Sequence, residues 1–219
     1  MLGVQFNNLK DLKILCLGAH CDDIEIGCGG TLLSILENHG NAEVHWVVLS
    51  SDPHREKEAR SSAKKFLSRA GRNRIEINKF RNGFFPYVGG EIKEYFEELK
   101  NRFSPDIIFT HYRNDLHQDH RTVSELTWNT FRNHIIFEYE ISKFDGDFGT
   151  PNCFVPLVLP IYRKKIEIIL SSFKTQSDKH WFKKELFLSI MRIRGMECCS
   201  YTEYAEAFYC RKFILGIKT

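Results

Sequence analysis

Five short strand-like runs alternate with segments of helical periodicity, and this alternation limits the fold more than any other feature of the chain. Residues 12–18 form an apolar run of strand length that ends in Gly18, which suits a strand buried on both faces. Further strand-like runs lie at 43–50 (EVHWVVLS), 74–80, 106–110 and 135–141. Between them, residues 30–38 place Leu32, Leu33, Ile35 and Leu36 at helical spacing, and 55–70 place Ala59, Ala63, Phe66 and Leu67 on one face. Residues 91–103 repeat the pattern with Ile92, Tyr95, Phe96, Leu99 and Phe103, and 122–132 also reads as helix. The β-α-β-α order predicts an α/β fold with a mostly parallel central sheet, right-handed crossovers and flanking helices. The last third reads as a short strand near 154–159, helices at 163–173 and 182–193, and a short terminal segment. With no repeat, low-complexity tract or linker, one domain over 1–219 is expected, with loops at 81–90 and 143–153.

Composition narrows the function classes. The 219 residues are 42% hydrophobic and 27% charged, enough to build a core and stay soluble. Thirty-one basic residues against 28 acidic ones give a net charge of +3, and no long basic block argues for nucleic acid. The most apolar stretch, 154–162, is short and broken by Pro156 and Pro160, so no transmembrane segment is expected. The first residues lack a secretory apolar core, and the chain reads as cytoplasmic, with peripheral membrane contact and self-association into a homo-oligomer left open. Seven cysteines occur without a CxxC pair, which argues for reduced thiols and against a cysteine-type structural zinc site.

The chemistry concentrates at two strand ends. The first strand runs into GAHCDDIEIGCGGT, which puts His20, Asp22 and Asp23 ahead of a glycine cluster. The fourth runs into HYRNDLHQDH, with His117, Asp119 and His120. In a doubly wound sheet, ligands bind beyond the carboxyl ends of strands where the winding reverses, and these two strands border that crevice in the common orders. A catalytic metal takes three protein ligands and leaves a position for water. His20 and Asp23 can both turn toward one ion; His117 and His120 share one side of a helix start, so that one can ligate while the other stays free. Asp22 is then placed to accept the water's proton, and Asp119 to hold a histidine tautomer. A dinucleotide reading of the glycines fares worse: Gly27, Gly29 and Gly30 come late, and the two carboxylates would repel a pyrophosphate, although Asp52 stands where a ribose-binding acid would. Close packing of the loop and helix start under the site explains the glycines better. His111 and Asp115 divide evenly between support of the site and ordinary loop polarity. Phe84, Phe85, Tyr87, Tyr112 and Trp181 suit packing better than sugar stacking, and Arg192 and Arg194 suit a solvated helix face as well as a phosphate contact.

AHCDDIEIGCGGTL resembles the AHPDD-x-x-x-G-x-GG signature of the PIG-L/LmbE zinc-dependent sugar N-deacetylases, and HYRNDLHQDH is similar to that family's second motif. SYTEYAEAF at 200–208, with KTQSD and RIRG before it, is similar to the family's C-terminal run. The resemblance implies a Rossmann-like sheet, zinc held by His20, Asp23 and His120, Asp22 as general base, His117 as the group that stabilises the oxyanion, and Asp119 as the group orienting His117. The mechanism expected of these groups forms the oxyanion against zinc and protonated His117. It implies an N-acetylglucosamine-type substrate on a lipid, nucleotide or glycan carrier. HREKE supplies Arg55, a substrate-binding residue by the same resemblance, with Glu58 three residues on. Iron and cobalt suit the same ligand set. Two departures stand out. Cys21 replaces the usual proline, and Asn82-Gly83 replaces an Asp-Gly pair, turning a charged sugar contact at Asn82 into a neutral one. Alternatives are a related amidase acting on a thiol-sugar conjugate or another N-acyl amine, and a non-catalytic metal- or sugar-binding module.

Overall fold

The computed structural model describes residues 11–214, which form a seven-stranded sheet with helices on both faces. In chain order the elements are β1 (Lys13–Gly18), α1 (Asp23–Asn38), β2 (Glu43–Val48), α2 (Pro53–Phe66), β3 (Arg72–Ile77), α3 (Gly89–Arg102), β4 (Ile107–His111), α4 (Gln118–Thr130), β5 (Ile135–Tyr139), β6 (Cys153–Pro156), α5 (Leu159–Ser172), α6 (Lys184–Glu197) and β7 (Ala205–Cys210). The strand order is β3-β2-β1-β4-β5-β7-β6. The first five strands are mutually parallel, β7 runs antiparallel to β5, and β6 antiparallel to β7.

Alternation along the strands splits the core in two, because successive side chains leave opposite faces. From β1, Ile14 and Cys16 join the larger core with α1, α2, α5 and α6, while Leu15 and Leu17 join the smaller one with α3 and α4. β1 sits at the point where the winding reverses, paired with β2 on one side and β4 on the other. The carboxyl ends of β1 and β4 are therefore neighbours, as the sequence leads one to expect.

Two local expectations change. Helix α1 begins at Asp23, seven residues before the expected start, and runs through the glycine cluster. The glycines serve contact between helix and sheet. A Cβ on Gly27 would collide with the Tyr139 ring, and one on Gly30 would lie 2.6 Å from Leu157. The terminal segment contains a strand, β7, that inserts between β5 and β6. From it Glu206 reaches under α1: its carboxylate accepts the N–H groups of Gly30 (2.8 Å) and Thr31 (2.7 Å) and pairs with buried Lys165 at 2.6 Å. Asp52, the candidate ribose acid, is the N-cap of α2 and accepts the N–H groups of His54 (2.8 Å) and Arg55 (3.0 Å). All seven cysteines are free thiols, and no helix among the described residues is long and apolar enough to cross a membrane.

Candidate metal centre

The turn after β1 and the start of α4 face each other. His20 follows β1, Asp22 is the N-cap of α1, and Asp23 opens the helix. His117 is the N-cap of α4, and Asp119 and His120 lie in its first turn. Three acceptor atoms converge between them. His20 Nδ1 lies 3.2 Å from His120 Nε2 and 3.6 Å from Asp23 Oδ2. His120 Nε2 is 3.7 Å from the same carboxylate oxygen.

The outer nitrogens of both rings are committed elsewhere. His20 Nε2 donates to Asp119 Oδ2 at 3.1 Å, and His120 Nδ1 donates to Asp115 Oδ2 at 2.9 Å. With both rings neutral, these hydrogen bonds leave His20 Nδ1 and His120 Nε2 without protons, facing each other and Asp23 Oδ2, which also accepts the His20 backbone N–H at 2.6 Å. A cation, or a proton shared between the two rings, offsets the crowding of these acceptors. The electrostatics differ around the cluster: without a cation, the carboxylates favour a proton on His20, whereas His120 stays neutral. Burial pulls His20 down, but the Asp119 hydrogen bond and the charges of Asp23, Asp119 and Asp22 lift it above its usual range. Burial, with help from His111, drives His120 down to about 3, so its ring stays neutral and free to ligate. Asp23 is pushed up by burial yet falls well below the usual carboxylate range, because His120, His111 and His20 surround it.

Asp22 has a different character. Its backbone φ of 113° is a conformation that non-glycine residues rarely adopt, and strain of this kind collects at functional sites. Oδ1 pairs with Arg55 Nη2 at 3.0 Å, while buried Oδ2 has no partner. Burial outweighs Arg55 and raises the acid to about 7. Arg55 also donates to the Cys21 carbonyl, so the arginine assigned to substrate by resemblance is engaged with the turn itself. Glu58 accepts from Thr175 N and Oγ1, tying α2 to the KTQSD segment. Asn82 is exposed on the 81–88 loop at the rim, beside Gly83.

Asp119 departs from its expected partner. Its carboxylate accepts from His20 Nε2, Gly83 N (2.6 Å) and Phe85 N (3.1 Å), so it orients His20 and anchors the 81–88 loop. His117 instead accepts the Asp119 N–H at Nδ1 (3.2 Å), which leaves its proton on Nε2. Burial and nearby His20 hold this ring below its usual value, which favours the neutral form over the protonated one expected of the mechanism. Its ring centre is 4.9 Å from that of His20 and 4.6 Å from that of His120.

Sequence reasoning leaves Asp115 undecided; its hydrogen bond to His120 settles its surroundings. Burial pushes Asp115 up, but His120, His111 and Lys143 hold it down to about 2. His111 stacks on His120 with ring centres 4.0 Å apart, and its Nε2 accepts the Ala19 N–H at 2.9 Å. Sequence reasoning misses Glu25 altogether: both carboxylate oxygens are buried without partners, and burial raises the acid to about 8. It misses Lys143 as well, since nothing in the sequence joins that residue to the HYRNDLHQDH stretch. Arg194 is buried against Glu140 and Glu197 and Arg192 pairs with Glu203, so neither is free for phosphate. Phe85 is buried, Tyr112 stacks on Tyr209, and only Phe84 and Tyr87 of the candidate sugar-stacking residues stand exposed at the rim.

A family model described as PIG-L, GlcNAc-PI de-N-acetylase, matches residues 15–131, more than half of the chain and both clusters. The chain belongs to the PIG-L family. Among curated protein sequences none matches. Among solved structures, a conserved protein of Thermus thermophilus is similar over 94% of this chain and 97% of its own, with 21% identity and a TM-score of 0.70. The N,N'-diacetylchitobiose deacetylase of Pyrococcus horikoshii is similar over 91% of this chain and 83% of its own, at 20% identity and a TM-score of 0.66. The 4-carboxy-2-hydroxymuconate hydratase GalB of Pseudomonas putida KT2440 is similar over 95% of this chain and 99% of its own, at 15% identity and a TM-score of 0.75. At such identities the likeness is one of fold. Since the same fold carries a deacetylase and a hydratase, the reaction must be argued from the site.

Proposed function

We propose that this PIG-L protein is a metal-dependent N-deacetylase that releases acetate from an N-acetylated amino sugar of N-acetylglucosamine type. The observation that carries the reading is the triangle of potential ligand atoms formed by His20 Nδ1, His120 Nε2 and Asp23 Oδ2. Its edges of 3.2, 3.6 and 3.7 Å suit zinc: donors about 2.1 Å from a tetrahedral ion stand about 3.4 Å apart. Two neutral imidazoles and one carboxylate also fit iron or cobalt, and zinc is the ion assigned here. A divalent ion held by these three groups supplies Lewis acidity, activating water and polarising an amide carbonyl.

The chain's own groups do the rest. Asp22 Oδ2, buried and without a partner, accepts a proton from the water that attacks the acetamide carbon. Arg55 holds the other oxygen and keeps the carboxylate aimed. The neutral Nε2–H of His117 donates to the oxygen that gains negative charge. As the C–N bond breaks, Asp22 returns its proton to the departing amine, leaving acetate and a free amino sugar. Asp119 keeps His20 in its ligating tautomer, and Asn82 on the rim loop meets the sugar.

Incubating the purified protein with zinc and a panel of N-acetyl, N-formyl and longer N-acyl glucosamine derivatives, free and linked to nucleotide, lipid or thiol-bearing carriers, tests the reading. Acetate should be released from N-acetylglucosamine conjugates and the release should stop with chelator. Turnover confined to other acyl groups or to thiol-sugar conjugates would favour the related amidase; stoichiometric binding without acid release would favour a binding module.

A further inference from the structure

We propose that Lys143, on the loop between β5 and β6, is a positioning residue for the ligand His120, acting through Asp115. The inference rests on the metal-centre reading above and adds the group that sets the orientation of one ligand. Lys143 Nζ lies 3.0 Å from Asp115 Oδ2, the same oxygen that accepts the His120 Nδ1 proton at 2.9 Å. The other oxygen, Oδ1, accepts the His117 N–H at 2.8 Å. Lys143 is in turn held by Asp147, 2.6 Å from Oδ1. Asp147 Oδ2 accepts the Leu116 N–H at 2.6 Å, which draws the two loops together beside Asp115. Side-chain exposure is 11% for Lys143, 2% for Asp115 and 8% for Asp147, so solvent screens these contacts little.

The arrangement divides the control of His120 in two. Stacking on His111, with an interplanar angle of 19°, sets the plane of the ring. The Asp115 hydrogen bond sets rotation within that plane, and hence whether Nε2 faces His20 and Asp23. An oxygen that accepts from two donors is fixed in place better than one that accepts from a single imidazole, and Lys143 supplies the second donor. Its own loop already offers a carboxylate, Asp147; the further reach to Asp115 is what links the ion pair to the site.

The test uses metal-stripped protein titrated with zinc against a chromophoric chelator, and with cobalt for its visible absorption. K143M is expected to bind zinc about tenfold more weakly, the lower edge of the usual effect of groups that orient ligands, and to change the cobalt bands. K143R, which keeps the donor, should stay within about threefold of the native affinity with native bands. If K143M does not fold, K143L, which also lacks a donor, takes its place, with the same expected loss. Native affinity and native cobalt bands in whichever neutral variant folds overturn the proposal, even if that variant melts at a lower temperature. A native protein that binds neither ion removes the metal-centre reading and this inference with it; a native protein that binds both, beside a neutral variant that binds equally, removes only the role of Lys143.

Discussion

His20, Asp22 and Asp23 arrive together on one tight turn at the end of β1 and are aimed by the remote groups Asp119 and Arg55, whereas His117 and His120 at the start of α4 are held by Asp115, a neighbour in sequence that Lys143 in turn engages. In the first half of the site the strand end, the strained φ of Asp22 and the start of α1 place the backbone locally, while Arg55 and Asp119 aim the side chains from other helices. In the second half Asp119 is held by Gly83 and Phe85 of the 81–88 loop, and His120 by Asp115 and its neighbours. Residue types that carry the chemistry can be local, while the hydrogen bonds that aim them come from across the fold. Substitutions in the first half should therefore abolish a function outright, and substitutions among the remote supports should weaken it by degrees.

The largest effect is expected from H20A, which removes a ligand: metal analysis after dialysis should find the ion lost. D22N should retain the metal but lose about 10²–10⁴ in turnover, the usual worth of a general base. Equal metal loss in H20A and D22N would contradict the separate roles given to these neighbours. D119N should weaken zinc binding about 10–100-fold, since it alters the hydrogen bond that keeps His20 Nδ1 bare; a chelator competition measures it. Further from the ion, E206A should cost roughly 3–5 kcal/mol of stability by leaving buried Lys165 unpaired, as read from denaturant unfolding. The smallest effect is expected from D52A, about 1 kcal/mol from loss of the α2 cap with zinc affinity unchanged.

The same contrast separates what can be read in the sequence from what cannot. Strand β1 and its neighbours stand out because burial on both faces demands unbroken apolar runs. The two candidate metal-binding clusters stand out because histidines and aspartates rarely collect at two strand ends. The start of helix α1 is hidden because glycines argue against helix locally, yet Tyr139, Phe66 and Leu157 leave no room for larger residues. Strand β7 is hidden because AEAFYC mixes polar and apolar residues, and its pairing with β5 and β6 is a long-range event. Resemblance pairs Asp119 with nearby His117, but hydrogen-bond partners follow space, and His20 is the ring it meets. Lys143 carries no local signal, since an isolated lysine beside a phenylalanine is ordinary.

The central claim is that His20, Asp23 and His120, brought from two distant turns, share one cation. The zinc content of native protein and H120A, both equilibrated in the same metal buffer and checked for native fold by circular dichroism, addresses it most directly. The expected result is about one ion per native chain and almost none in folded H120A. Equal zinc in the two proteins would contradict it.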